Sequence, residues 1–133
     1  MMSERSYPAP QPNAETQVFW DAAAEGVLKI KNCRSCFRAH YYPRAICPHC
    51  GSDQTEWVVS EGVGEIYSVS VMRRGEGAPF AVAYVALDEG PAVLTNIVDC
   101  DPDSLAIGQR VRIAFKPSEE GAPPVPTFTP SGD

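Results

Sequence analysis

The chain has 133 residues, of which 44% are hydrophobic and 21% charged, with a formal net charge of −6. That length holds one compact domain or two small ones sharing an interface. The acidic balance argues against a general nucleic-acid binder, which needs a cationic footprint. No apolar run approaches the roughly twenty residues that cross a bilayer, and no basic, apolar, cleavable leader opens the chain.

Residues 1–12, MMSERSYPAPQP, contain Pro8, Pro10 and Pro12. So many missing N–H donors and fixed φ angles exclude a helix or a strand ladder, and a flexible extended arm is expected. Asn13 is a good N-cap for a helix from Ala14 to about Glu25, with Gly26 as its stop. Val18, Phe19 and Ala22 form one apolar stripe, with Trp20, Ala23 and Ala24 to the side. Adjacent Phe19 and Trp20 cannot both face one small core. Either one packs inward and the other stays half exposed, or the helix docks on a second protein through them.

Val27 to Lys31 alternates as a strand into the stretch CRSCFRAHYYPRAICPHC. Cys33/Cys36 and Cys47/Cys50 are two C-x-x-C pairs ten residues apart, the spacing of two turns that each deliver two thiolates to one ion. Pro43 and Pro48 favour knuckle turns over helix. Four thiolates close a tetrahedron and leave no place for water, so the expected metal is a structural zinc. Iron in the same cage and simple disulfides are the alternatives weighed. Thiolates kept free for metal suit a reducing cytoplasm. His40 and His49 read as ordinary residues of the loops and strands around the site. Tyr41-Tyr42-Pro43 leads towards the second knuckle and Glu56 to Val59 leaves it. Residues 13–60 therefore read as helix plus zinc ribbon.

From Gly62 short strands recur, the pattern of a small barrel over residues 61–130. Val63, Tyr67, Val69 and Val71 are expected on one face of the first strand, with Ser68 and Ser70 opposite. Arg73-Arg74-Gly75-Glu76-Gly77 is a glycine-rich hairpin loop. Phe80 to Leu87 is apolar on both faces, Asp88 to Pro91 is a turn, and Ala92 to Val98 is a third strand. Residues 99–107 form a polar link in which Asp101-Pro102-Asp103-Ser104 can start one helical turn. Gly108 re-aims the chain into Arg110 to Lys116, where Val111, Ile113 and Phe115 face inward. Cys100, between two aspartates, should have a raised thiol pKa and be inert. The ending reads as a stiff, Pro-rich tail whose Phe128 is an anchor for a partner.

In this order the chain resembles the OB-fold proteins with a rubredoxin-like zinc ribbon, long called a domain of unknown function and described as acyl-CoA-associated. The segments FWDAAAEGVLKIKNC, CPHCGS, GEIYSVSV, IVDCDPDSLAIGQRVRIAF and PTFTP carry the resemblance. It implies a mainly β fold: an N-terminal helix, the zinc ribbon, then a small OB-fold barrel. It also implies an accessory subunit beside thiolase-like condensing enzymes, thiolase-fold aldolases or hydratase-like subunits, helping to bind acyl-CoA.

The residues agree in one respect: no G-x-S-x-G elbow, open metal position or electropositive cysteine is found. A protein that acts by holding something is expected. For CoA phosphates the best candidates are Arg73 and Arg74, beside glycines whose N–H groups can approach a ligand; Arg110, Arg112 and Lys116 form a second cationic edge. The rival is a free-standing module for single-stranded nucleic acid, since ribbons and OB folds often serve that role. It predicts interleaved basic and aromatic residues, whereas FAVAYVAL and AVLTNIVD contain no Lys or Arg.

Overall fold

The computed structural model describes residues 7–73, 78–119 and 121–131. The helix begins later than the cap residue suggests. Asn13 Oδ1 accepts from the backbone N–H of Thr16, and Thr16 Oγ1 accepts from that of Asn13, each at 3.0 Å. This reciprocal box closes a separate turn, and α1 then runs over Gln17–Ala24 with Thr16 as its N-cap. At the other end Gly26 (φ +78°) does stop it: Gly26 N–H bonds Ala23 O and Val27 N–H bonds Ala22 O, a Schellman cap. The buried stripe is Phe19, Ala22 and Ala23, spaced i, i+3, i+4, while Val18 points outward.

Three short strands follow, β1 (Lys29–Cys33), β2 (Ala39–His40) and β3 (Thr55–Val59), forming an antiparallel sheet in the order β2-β1-β3. Then come β4 (Val63–Met72), β5 (Phe80–Leu87), β6 (Ala92–Ile97), β7 (Arg110–Lys116) and β8 (Val125–Pro130). These close a barrel in the order β4-β5-β6-β8-β7. A single 3-10 turn, Pro102–Ser104, sits in the polar link where one was expected, capped by Asp101.

Helix, ribbon and barrel share one core. Phe19, Leu28 and Ile30 pack with Ile66, Val85, Val111 and Phe128. Polar ties hold the same junction: Glu89 accepts from Ser60 Oγ and Glu61 N–H, both at 2.9 Å, and Glu15 Oε2 accepts from Ala45 N–H at 2.7 Å. The ribbon thus gains a hydrophobic floor that its own short strands cannot supply.

Two expectations are corrected by strand geometry. In β4 a bulge between Ile66 and Ser68 shifts the alternation: Gly64 and Ile66 face the core and Tyr67 faces outward with Glu65, whereas beyond the bulge Val69 turns to the core. The supposed tail is β8, the strand that closes the barrel, paired along β7 from Val111↔Pro130 to Lys116↔Val125. Phe128 O accepts from Val98 N–H at 2.8 Å, which turns the backbone groups of even-numbered residues towards β6. Pairing with β6 is confined to Ile97↔Phe128, so Pro126 and Pro130 occupy positions where no N–H is required.

Gly64 lies against β5, and a Cβ there would overlap the carbonyl oxygen of Ala86. Backbone held in two ladders cannot retreat cheaply. Gly64→Ala is expected to cost about 1–3 kcal/mol, read as a lowered urea midpoint with unchanged slope.

Candidate metal centre and docking surfaces

The two knuckles are built alike. Phe37 N–H bonds Cys33 O and Gly51 N–H bonds Cys47 O, both at 2.9 Å. Inside each turn a backbone N–H meets sulfur: Ser35 to Cys33 Sγ at 3.4 Å and His49 to Cys47 Sγ at 3.3 Å. Cys33 ends β1, so the sheet fixes the first turn, while Ser35 Oγ and Ser52 Oγ at 2.8 Å link the first turn to the second.

The four sulfurs converge, all lying within 4.8 Å of one another. Cys33–Cys50 and Cys36–Cys47 are each separated by 3.7 Å. Four thiolates held at about 2.3 Å around one tetrahedral ion stand about 3.8 Å apart, whereas a disulfide needs about 2.05 Å. The cage therefore fits one tetrahedral metal and the cysteines are not paired as disulfides. Its electrostatics suit a cation. The backbone N–H of Cys36 and then that of Ser35 hold Cys33 down at about 6, against the opposing effect of burial. Burial raises Cys36. Cys50 is drawn down by Ser52 N–H, yet burial and the other three sulfurs push it up to about 12. A divalent ion relieves that crowding by replacing shared protons.

His40 lies in β2, buried, and neither ring nitrogen has a hydrogen-bond partner among the described residues; burial lowers its pKa. His49 is exposed, its Nε2 3.3 Å from Ala39 O, and the two rings meet edge-on with centroids 6.4 Å apart. Cys100 is half buried against the core, and burial followed by Asp101 and Asp99 raises its thiol, as expected for an inert residue.

The expected partner-binding aromatics fall differently. Phe19 is 4% exposed, edge-on to Trp20 (4.9 Å) and Tyr41 (5.8 Å), and Phe128 is fully buried. Both are core, because the helix rests on the ribbon and the tail is a strand. Only Trp20 is half exposed, on the side of α1. Arg73, at the end of β4, pairs with Asp103 of the 3-10 turn, so the link after β6 reaches the β4 end. Arg74 lies outside the described residues. Of the second cationic edge, Arg110 makes a two-pronged pair with Asp88 and Lys116 bonds Asp99.

An apolar patch escaped the sequence reading. Tyr67, Tyr84 and Leu94 are exposed on the outer barrel wall, with Tyr84 directly opposite Leu94 across β5 and β6. Tyr67 shares the outward face of Glu65, and the bulge after Ile66 separates it from Val69, which turns to the core.

Comparison with known proteins accords with this architecture. Residues 20–56 match the family described as "ChsH2, rubredoxin-like zinc ribbon domain" and residues 57–116 that described as "ChsH2, C-terminal OB-fold domain". The chain is 40% identical over 101 residues to a DUF35 domain-containing scaffold protein of Methanothermobacter thermautotrophicus, covering 71% of this chain and 76% of that protein. It is 34% identical over 108 residues to a probable enoyl-CoA hydratase alpha subunit of Thermomonospora curvata; 78% of this chain matches only 34% of that subunit. A solved Ltp2-ChsH2(DUF35) aldolase superposes with a TM-score of 0.77 at 31% identity, over 92% of this chain and 98% of the matched one.

Proposed function

From its membership of the ChsH2 family, in which a rubredoxin-like zinc ribbon precedes an OB-fold domain, to which this chain belongs, we propose that the protein is an accessory subunit of an acyl-CoA-processing enzyme. The partner we propose is a thiolase-superfamily thiolase or aldolase, which carries the chemistry while this chain supports it and helps hold the acyl-CoA. One structural zinc in the four-cysteine cage supplies a cross-link with no open coordination position. The observation that carries the reading is the extent of the likeness to a chain of the Ltp2-ChsH2(DUF35) aldolase, which spans 92% of this chain and 98% of that one.

Co-purification from the native organism with a tagged full-length chain tests it. A near-stoichiometric thiolase-fold subunit is expected, whose turnover of acyl-CoA falls when this chain is removed. Recovery of the zinc-loaded chain alone, or a partner whose activity ignores it, refutes the proposal. Arg73 and Arg74 remain the proposed contacts for CoA phosphates. Arg73 is exposed and its pair with exposed Asp103 is weakly held, so a phosphate can displace that carboxylate. Arg73→Ala is expected to weaken acyl-CoA binding about tenfold in calorimetric titration against the assembled complex. An unchanged dissociation constant removes Arg73 from the site.

A further inference from the structure

The twin knuckles differ at one matched position. After its second cysteine each turn places a residue in the left-handed region: Gly51 at φ +79° in one, Phe37 at φ +61° in the other. Glycine adopts that backbone freely, but for a bulky side chain it is strained. Strain of this kind is retained where something else needs the side chain, and packing does not need this one. Phe37 is 81% exposed, the highest value among the exposed large hydrophobic residues described. The fold keeps an aromatic ring in solvent at a position its twin fills with glycine.

The stretch of chain that carries the cage is basic in sequence. Residues 26–52 hold five of the eleven Lys and Arg, namely Lys29, Lys31, Arg34, Arg38 and Arg44, and none of the seventeen Asp and Glu. Arg34 and Arg38 stand exposed on either side of Phe37 in the knuckle. Arg44 lies over the exposed ring of Tyr42, 5.2 Å from its centroid. Phe37, Arg38 and Tyr42 line one wall of a cleft of about 610 Å³, whose other wall is the β5–β6 turn from Glu89 to Ala92, with the Glu89 carboxylate already held by Ser60 Oγ and Glu61 N–H. In a chain that is otherwise strongly acidic, this end presents rigid aromatics flanked by guanidinium groups, the residue types that anchor protein interfaces.

We propose that the tip of the first zinc knuckle, Phe37 with Arg34, Arg38 and Arg44, is the docking point on the catalytic subunit, inserting the ring into an apolar pocket rimmed by carboxylates. The inference rests on the accessory-subunit reading and names the surface it uses. The metal holds the knuckle rigid, so little ordering entropy is lost when the ring is inserted. Guanidinium groups at the rim steer association and make it dependent on salt.

Phe37→Gly separates this role from a structural one. The zinc-loaded variant is expected to melt at the wild-type temperature or up to about 4 °C above it, because glycine suits the backbone there. Its dissociation constant for the co-purified catalytic subunit is expected to rise about thirtyfold or more. Arg38→Glu should weaken binding by slowing association and should flatten its dependence on NaCl concentration. A wild-type chain that binds its subunit while both variants bind equally well overturns this inference and leaves the accessory role standing. A wild-type chain that binds no such subunit overturns both. A lowered melting temperature for Phe37→Gly makes the ring part of the fold, and loss of binding to a dT20 oligonucleotide in both variants makes the tip a nucleic-acid contact; either result overturns the proposal.

Discussion

Replacing Cys47 with serine is expected to empty the metal cage and unfold the ribbon. A serine hydroxyl stays protonated at neutral pH and is a poor ligand for a soft or borderline ion, so the shell is left with three thiolates. Structural zinc contributes apparent binding energies of about 10–16 kcal/mol, comparable to or above the 5–15 kcal/mol that holds a whole domain folded. Cys47 is almost fully buried, so water cannot easily complete the shell in place of the missing sulfur. The damage should spread, because β1 leads into the cage and carries Ile30 in the shared core. Metal analysis should fall from one ion per chain to none, and the melting transition should lose cooperativity. Cys100→Ser is the matched control: this cysteine is outside the cage, and the variant should keep full metal and melt within a few degrees of wild type. Retained metal with an unchanged melt in Cys47→Ser would refute the assignment.

The cage was legible because a metal site is a local, directional constraint: two C-x-x-C pairs and two prolines suffice to specify it. The barrel strands were legible from alternation and turn residues, since both are short-range signals. What escaped was set by pairing between distant segments. Whether Pro126-Thr127-Phe128-Thr129-Pro130 is a tail or a strand depends on a gap between β6 and β7 that only the closed barrel creates. Its prolines read as breakers because sequence alone does not reveal which N–H groups will be needed. That Tyr67 and Val69 lie on opposite faces depends on a bulge against β5, and the burial of Phe19 depends on Tyr41 being brought beneath the helix. Phe37 is hidden in the sequence for a different reason. Its exposure and left-handed backbone are invisible in the string CRSCFR, although comparison of the two turns, C-x-x-C-Phe against C-x-x-C-Gly, was available.

Phe128→Ala is expected to cost about 3–5 kcal/mol, the range for deleting a buried aromatic, and to lower the melting temperature by more than about 10 °C. The ring is fully buried and is the largest of the wholly enclosed side chains among the described residues. It stands where β8 bridges β6 and β7, opposite Ile97 on one side and Ile113 on the other. Alanine keeps the backbone bond from Val98 N–H to residue 128, so the loss measures the emptied core and not the ladder. Phe128→Leu retains most of the volume and should cost much less, on the order of 1 kcal/mol. A partner-facing anchor predicts the reverse pattern: little change in melting and a large change in association. Measured beside Phe37→Gly, the two substitutions should divide cleanly. One aromatic, without strain and without exposure, carries stability; the other, strained and exposed, carries binding. If Phe128→Ala leaves the melt intact, β8 does not close the barrel, and the continuity of core from ribbon to barrel fails with it.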